Sequence, residues 1–137
     1  MTKLIRFGVS MEEQLLSRFD TILEKEGYTN RSEAIRDLIR KNLVEEEWEK
    51  GEAVAGSIML VYNHHQRELL EKIMDAQHDF HDVIISTQHV HMDHDNCLEI
   101  IVVKGLVEKI KNLYNALSVL KGVKYFSLSR ATTGKKL

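Results

Sequence analysis

The sequence predicts an α+β protein in two parts, a dimeric βαα segment over residues 1–50 and a βαββαβ segment over residues 51–137. Three observations predict this. Residues 4–10 alternate like a short strand and precede two amphipathic helices, the pattern breaks near Gly51, and two more helical stripes then interleave with four strands. A content of 43% apolar residues in 137 is enough for one ordinary domain or two small ones.

The strand over residues 4–10 has two different faces. One face is apolar and holds Ile5, Phe7 and Val9, and the other holds Arg6, Gly8 and Ser10. A segment of roughly fifty residues cannot cover a lone strand or satisfy its edge. We therefore expect a twofold dimer in which two copies of the strand pair antiparallel, with four helices behind them. The outer face of such a ribbon fits the major groove of B-DNA.

Each of the first two helices has recognisable ends. Ser10 and Glu13 have capping-box spacing, an apolar stripe runs over residues 15–23, and Gly27 provides a left-handed stop. The second helix begins at Asn30, another cap residue with Glu33 three positions later, and runs to about residue 48.

The second part contains six further elements. Periodicity predicts a strand at 53–63, a helix at 65–79, strands at 82–92 and 97–104, a helix at 105–121 and a strand at 123–131. This order is the split βαβ arrangement of ferredoxin-like folds. Proteins of this topology called ACT domains bind small effectors and associate through their sheets, so fold analogy makes a regulatory module plausible.

Three imidazoles and the only thiol of the chain lie within twenty positions, at His78, His89, His91 and Cys97. Side chains two apart on a strand point the same way, which places His89 and His91 about 6 to 7 Å apart at the backbone. These ligand types suit tetrahedral Zn(II), or square-planar Ni(II) or Cu(II). Because Cu(II) outranks Ni(II) in intrinsic affinity, residue types alone do not select the metal.

The connection between the two central strands decides whether these ligands share a face. Cys97 lies on the side of His89 and His91 only if His91 pairs with Cys97 across a five-residue connection, and residues 93–96 suit either register. His78 ends the preceding helix, and whether it reaches the same site within one chain stays open.

Composition narrows the compartment and the partners. The formal net charge at pH 7 is −2, so the overall charge of the chain does not indicate a polyanionic partner. A single cysteine excludes an intrachain disulfide and fits a reducing compartment. The N-terminal residues lack a signal peptide, and no run of residues approaches a membrane span, so we expect a cytoplasmic protein without a membrane partner.

The first part resembles a ribbon-helix-helix DNA-binding domain, in the string from Arg6 to Ser10 and in the string from Gly27 to Asp37. The resemblance implies that three strand residues read base edges, namely Arg6, Gly8 and Ser10. It also implies that three residues at the start of the second helix lie near a DNA phosphate, namely Asn30, Arg31 and Ser32. Gly8 departs from the usual hydroxyl residue, and operator preference at that point is expected to change.

The second part resembles the metal-sensing domain of nickel-responsive transcriptional regulators, with matching strings at residues 62–65, 77–78, 89–93 and 96–99. The resemblance implies a homotetramer, a dimer of dimers, with one square-planar Ni(II) per subunit. Its ligands would be His89, His91 and Cys97 from one subunit and His78 from another. The residues that would orient these ligands by hydrogen bonds are His64, Gln77 and Glu99.

The same resemblance implies two further contacts. Glu33 and Asp37, one helical turn apart, would hold a cation such as potassium at a domain interface. Arg67 would contact the DNA backbone, where the neighbouring Gln66 lacks the charge usual at that position. His65, His81 and His94 are expected to be solvated, although His81 and His94 could serve a second site under excess metal.

We therefore expect a metal-responsive transcriptional regulator, not an enzyme, that binds operator DNA when loaded with Ni(II) and represses nickel uptake genes. Three alternatives explain less of the chain. A zinc hydrolase needs an open coordination position beside a general base, which four ligands do not leave. A ribbon-helix-helix antitoxin leaves the metal ligands unexplained, and a copper or zinc buffer leaves the ribbon unexplained.

Overall fold

The computed structural model describes residues 2–137, and its backbone divides into two compact units between Lys41 and Asn42. The division falls inside the second helix, whose last turns contribute the buried Trp48 to the second unit. The domain limits predicted at residue 50 stay a prediction.

The first unit contains helix α1 (Glu13–Glu26) and the larger part of helix α2 (Arg31–Glu49). Gly27 ends α1 with φ 79°, as predicted. Asn30 caps α2, because its Oδ1 accepts a hydrogen bond of 2.9 Å from the backbone N–H of Glu33. The predicted capping box at Ser10 is wrong. The N-cap of α1 is Glu12, which makes no side-chain cap hydrogen bond. Ser10 precedes this position, so its hydroxyl does not cap the helix.

The predicted strand over residues 4–10 is not formed in the single chain, where residues 2–12 adopt neither helix nor strand. The physical reason is the one that predicted a dimer, since a strand needs a hydrogen-bonded neighbour. Its predicted apolar face is uncovered, with Ile5 78% and Phe7 72% exposed.

The second unit is a four-stranded antiparallel sheet with two helices, in the predicted βαββαβ order. Its elements are β1 (Ala53–Asn63), α3 (Arg67–Asp79), β2 (Ile84–His91), β3 (Asn96–Leu106), α4 (Val107–Ser118) and β4 (Val123–Arg130). The strand order is β2-β3-β1-β4, and every neighbouring pair is antiparallel. This confirms the ferredoxin-like topology. Strand β3 ends later than predicted because Gly105 and Leu106 still pair with the start of β1.

The core lies between one face of this sheet and helices α3 and α4. Alternate residues of β1, including Ile58, Leu60 and Tyr62, are fully buried on that face, as period-2 strands require. Ile110 and Leu113 of α4 are fully buried against them. The two central strands β3 and β1 are each hydrogen-bonded on both sides. Strand β2 lies at the edge of the sheet and remains largely exposed.

No helix within residues 2–137 combines the length and the apolar character needed to cross a membrane.

Candidate metal centre and nucleic-acid interface

The register of the β2–β3 hairpin places three of the predicted metal ligands on one face. His91 lies opposite Cys97 across a connection of residues 92–96, and His89 lies opposite Glu99. Since side-chain direction alternates along both strands, His89, His91, Cys97 and Glu99 point to the same side of the sheet. The structure thus settles the register that the sequence left open.

The hairpin connection is organised by the carboxylate of Asp93. Its Oδ1 accepts hydrogen bonds from the backbone N–H groups of Asp95 and Asn96, at 2.9 and 2.8 Å. The side-chain amide of Asn96 donates to both carboxylate oxygens, at 3.1 and 3.0 Å. The hydrogen bonds from Asn96, with that from Asp95, lower the pKa of Asp93 to about 2.

Cys97 and His89 are two predicted ligands whose side chains approach each other closely. The Sγ of Cys97 lies 3.6 Å from Nδ1 of His89. Cys97 is buried at 1% exposure, whereas His89 stands at the open edge of the sheet. The other ring nitrogen of His89, Nε2, lies 3.0 Å from Oε1 of Glu99. The imidazole therefore bridges a thiol and a carboxylate, which is the kind of support that fixes a metal-binding imidazole.

Glu99 is a buried carboxylate, 1% exposed, and it gathers polar side chains from three elements. The hydroxyl of Tyr62 on β1 donates to Oε2 at 2.9 Å, and Nε2 of Gln77 on α3 donates to Oε1 at 2.8 Å. Burial raises the pKa of Tyr62 above its ordinary value, and the adjacent Glu99 charge adds to the rise. Thr87 of β2 donates to Oε1 of Gln77 at 3.3 Å and so ties the edge strand to α3.

Sequence reasoning named Gln77 and Glu99 in this network and missed Tyr62 and Thr87. Alternation could have found Tyr62, because it pairs with Cys97 across β1 and β3 and so shares the ligand face. His64, the third residue expected to support the ligands, contacts the hairpin and the ring of His91. Its Nε2 lies 2.7 Å from the carbonyl oxygen of His94, and its ring meets that of His91 edge-on with centroids 5.1 Å apart.

The four predicted ligands do not converge within one chain. His78 lies exposed near the end of α3, with its ring 6.2 Å from that of His81. Within residues 2–137, the one set of three or more His, Cys, Asp or Glu ligand atoms that all lie within 4.8 Å of one another belongs to different residues, His65, His94 and Asp95. The donor types at Cys97 and the three histidines nevertheless fit a borderline-soft divalent metal.

The predicted DNA-contacting residues lie in the first unit, apart from Arg67. Arg6, Gly8 and Ser10 are exposed in the segment before α1, and Ser32 is exposed in the first turn of α2. Arg67 is exposed at the start of α3.

Arg31 already has a partner in this unit. Its guanidinium binds the Asp20 carboxylate with two hydrogen bonds of 2.9 Å. These bonds lower the pKa of Asp20 below its ordinary value. A phosphate at the start of α2 would compete with Asp20 for this guanidinium.

The proposed second cation position is occupied by local hydrogen bonds. Asp37 accepts a hydrogen bond of 2.8 Å from Tyr28 and pairs with Arg40 at 3.3 Å. Glu33 accepts a hydrogen bond of 3.0 Å from Thr29. A potassium site at Glu33 and Asp37 stays a prediction.

Two family models match the chain, one for each part. Residues 5–46 match the model described as "Ribbon-helix-helix protein, copG family". Residues 55–131 match the model described as "NikR C terminal nickel binding domain", which covers more than half of the chain.

Curated relatives match nearly the whole chain. A protein of Syntrophus aciditrophicus is 56% identical over 98% of this chain and 98% of its own length. A protein of Dictyoglomus thermophilum is 58% identical over 94% of this chain and 96% of its own length. A protein of Thermococcus onnurineus is 51% identical over 98% of this chain and 99% of its own length. All three carry the name "Putative nickel-responsive regulator".

One solved structure is similar in fold to more than half of the chain, and a second aligns with a lower score. The uncharacterized protein TM1266 from Thermotoga maritima aligns with a TM-score of 0.53 at 15% identity, over 58% of this chain and 98% of its own. The ACT domain of a GTP pyrophosphokinase from Chlorobium tepidum aligns with a TM-score of 0.46 at 18% identity, over 57% of this chain and 97% of its own length.

Proposed function

The chain belongs to the family of nickel-responsive regulators, and on this premise we propose that it binds operator DNA when loaded with Ni(II) and represses genes for nickel uptake. The family consists of transcriptional regulators with a ribbon-helix-helix domain and a nickel-binding domain, and the chain is not an enzyme. The observation that carries the proposal is the hairpin register, which puts His91 opposite Cys97 and brings His89 to 3.6 Å from the thiol.

In this proposal each subunit binds one Ni(II) through His89, His91 and Cys97, and His78 of another subunit completes the set. Two features support the exchange of His78. It is exposed on α3, and one chain does not gather the four donors. Binding requires a thiolate at Cys97 and imidazoles that have lost a proton at the ligating nitrogen. Bound nickel would link α3 of one subunit to the hairpin of another.

The Glu99 network would transmit this link to the protein. Gln77 precedes His78 on α3 and donates to Glu99, whose other Oε1 neighbour is Nε2 of His89. A change in the position of His78 therefore changes the hydrogen bond beside the hairpin ligands. Glu99 and Gln77 act here as positioning residues, and His64 holds the hairpin tip through the His94 carbonyl oxygen.

The assembly that suits this arrangement is a homotetramer. Pairing of two copies of residues 4–10 would cover Ile5 and Phe7 and form the DNA-reading ribbon, with Arg6 and Ser10 directed to base edges. A DNA phosphate would lie near the start of α2, at Asn30, Arg31 and Ser32, and the DNA backbone would also contact Arg67. The protein would act in the cytoplasm. A potassium ion at Glu33 and Asp37 is a further expectation from the family.

Nickel and DNA must affect each other's affinity equally if this proposal is correct. Metal that favours the arrangement with both ribbons on the operator must itself bind more tightly once DNA is present, by thermodynamic linkage. A coupling of about 1–3 kcal/mol corresponds to roughly 5- to 150-fold in either affinity.

The test is a titration of operator-length DNA with metal-free protein and with protein loaded with Ni(II), Zn(II) or Cu(II). We expect Ni(II) to tighten DNA binding and His89→Gln to abolish that effect. The matched control is Gln88→Ala, which removes the exposed side chain next to His89 on β2, on the opposite face of that strand. Equal DNA affinity in all four states would refute the regulator mechanism. A Ni(II)–thiolate charge-transfer band that survives Cys97→Ala would refute the ligand set.

A further inference from the structure

The segment of residues 131–136 follows β4 and lies against the last turn of α2. The backbone N–H of Ala131 donates to the carbonyl oxygen of Ala55 at 2.8 Å, which extends the pairing of β4 with β1. The carbonyl oxygen of Ala131 accepts a hydrogen bond of 2.9 Å from Nε1 of the buried Trp48. The guanidinium of Arg130 lies over the same indole ring, 5.7 Å from its centroid, within the range of a cation–π contact. The end of β4 is therefore joined to the end of α2.

Glu47 is a buried carboxylate in the last turn of α2, 7% exposed, that the proposed metal chemistry does not use. The hydroxyl of Thr132 donates to it, at 3.1 Å from Oε2 and 3.4 Å from Oε1. The same hydroxyl accepts a hydrogen bond of 3.1 Å from the backbone N–H of Gly134. No other residue within 2–137 donates to this carboxylate. Because a buried carboxylate without a donor is costly, the bond to Thr132 favours the position of the whole segment.

A third contact involves the turn between α2 and β1. Nζ of Lys136 lies 2.8 Å from Oε2 of Glu52. The backbone N–H of Glu52 in turn donates to the carbonyl oxygen of Glu47 at 3.1 Å. The ion pair is partly exposed and contributes little to stability by itself. Its importance is its position, since the 131–136 segment thereby contacts the helix end and the turn that follows it.

Helix α2 gives this attachment a consequence for DNA binding. The helix runs unbroken from Arg31 to Glu49, so it begins in the first unit and ends in the second. Its first residues are those proposed to lie near a DNA phosphate. A helix whose end is held by packed side chains and hydrogen bonds follows the movement of the element that holds it, whereas a frayed end behaves as a flexible linker.

We propose that the 131–136 segment holds the last turns of α2 and that nickel changes DNA affinity through this attachment, with Thr132 and Lys136 as positioning residues. The inference rests on the proposed function, because it concerns how nickel binding reaches the DNA-binding part. With the attachment, the subunit arrangement that nickel selects also restricts where α2 can lie, and DNA does not have to order the helix again. Without it, DNA binding includes that ordering cost whether nickel is bound or not, so the advantage given by nickel shrinks.

The first experiment titrates operator-length DNA with the metal-free and the Ni(II)-loaded chain, and the ratio of the two affinities is the nickel enhancement. Wild type should give roughly 5- to 150-fold. Thr132→Val with Lys136→Met should lower the enhancement by roughly threefold or more, while Ni(II) affinity without DNA stays within about twofold. Restoring the hydroxyl with Thr132→Ser, in place of valine, should recover part of the loss.

The matched control changes the neighbouring residues of the same types, as Thr133→Val with Lys135→Met. Thr133 is half-buried and Lys135 is exposed, and their side chains make no hydrogen bond or ion pair within residues 2–137. This variant should keep the wild-type enhancement within about twofold. A second test variant, Glu47→Leu with Thr132→Val, removes the attachment without leaving an unpaired buried carboxylate, so a folding defect from that charge does not obscure the result.

The second experiment measures amide hydrogen exchange over residues 42–49 of the metal-free protein, and it needs neither nickel nor DNA. Exchange there should rise by roughly tenfold in both test variants and stay unchanged in the control. Unchanged exchange in the test variants would overturn the attachment, and an enhancement within about twofold of wild type would overturn its role in coupling. A wild type without nickel enhancement would instead refute the proposed function together with the coupling role, while the exchange result still decides the attachment.

Discussion

Replacing Tyr62 with phenylalanine removes one hydroxyl from the buried network that supports the proposed metal ligands. That hydroxyl donates to Oε2 of Glu99 at 2.9 Å, and the exposed fractions of the two residues are 0% and 1%. Phenylalanine keeps the ring and its packing. The Glu99 carboxylate then retains Gln77 at 2.8 Å and His89 at 3.0 Å, both on Oε1, and Oε2 loses its partner.

The expected loss follows from the charge and the burial of the acceptor. A hydrogen bond to a charged group contributes about 1.5–3 kcal/mol, and an unsatisfied buried acceptor cannot turn to water instead. We therefore expect Tyr62→Phe to lower the free energy of unfolding of the metal-free protein by about 1.5–3 kcal/mol. Nickel affinity should fall by roughly 10- to 100-fold, as is usual when the support of a metal ligand is removed.

Urea unfolding followed by circular dichroism measures the first quantity, at one fixed protein concentration because assembly contributes to stability. The matched control is Tyr125→Phe. Tyr125 lies on β4 opposite Val61 and is 57% exposed, so loss of its hydroxyl should change stability by less than about 0.5 kcal/mol. If the two variants lose equal stability, or if Tyr62→Phe loses less than about 0.5 kcal/mol, the assignment of Glu99 as a charged, buried acceptor is wrong.

Three further predictions concern the second unit. Gly56→Ala should cost about 1–3 kcal/mol in urea unfolding, because a Cβ there would lie 2.6 Å from the backbone carbonyl oxygen of Ser129. Trp48→Phe should cost about 1–3 kcal/mol by the same measurement, since the buried indole N–H donates to Ala131 at 2.9 Å and the carbonyl would lose that partner. Asp93 has a lowered pKa, so its stabilising effect is present above the ordinary carboxyl pKa and is lost as pH falls toward 2. Asp93→Asn should therefore flatten the fall in melting temperature between pH 4 and 2, and an unchanged pH profile would contradict the turn assigned to Asp93.

The order of the elements was predictable because each carries its own local pattern. Leu69 and Ile73 mark the buried stripe of α3, and the alternation of β1 announces a strand buried on one face. Asn30 caps α2 through a bond that spans three residues and needs nothing else from the chain. Each of these patterns depends on residues that are close in sequence and therefore close in space.

Features that depend on distant or separate segments were not predictable in the same way. The strand over residues 4–10 has no hydrogen-bonded neighbour in one chain, so one chain does not form it. The capping box failed because α1 starts at Glu13 with Glu12 as its N-cap, and position N3 is then an apolar leucine. Tyr62 was missed because its partner Glu99 lies 37 positions away and only the register of β1 and β3 joins them.

The hairpin register links the fold to the proposed metal chemistry in a way that neither could provide alone. A shift of one residue in β2 would turn His89 and His91 to the other face of the sheet and leave Cys97 without imidazole neighbours. The same shift would remove the His89 ring from Oε1 of the buried Glu99 carboxylate and leave that oxygen with Gln77 alone. The register that aligns the ligands is therefore also the one that adds His89 to the partners of the buried carboxylate, which favours this register before any metal binds. His78 is the one proposed ligand that lies on a different element, α3, and the hairpin register does not position it. In the proposed centre, metal binding brings His78 to the other ligands.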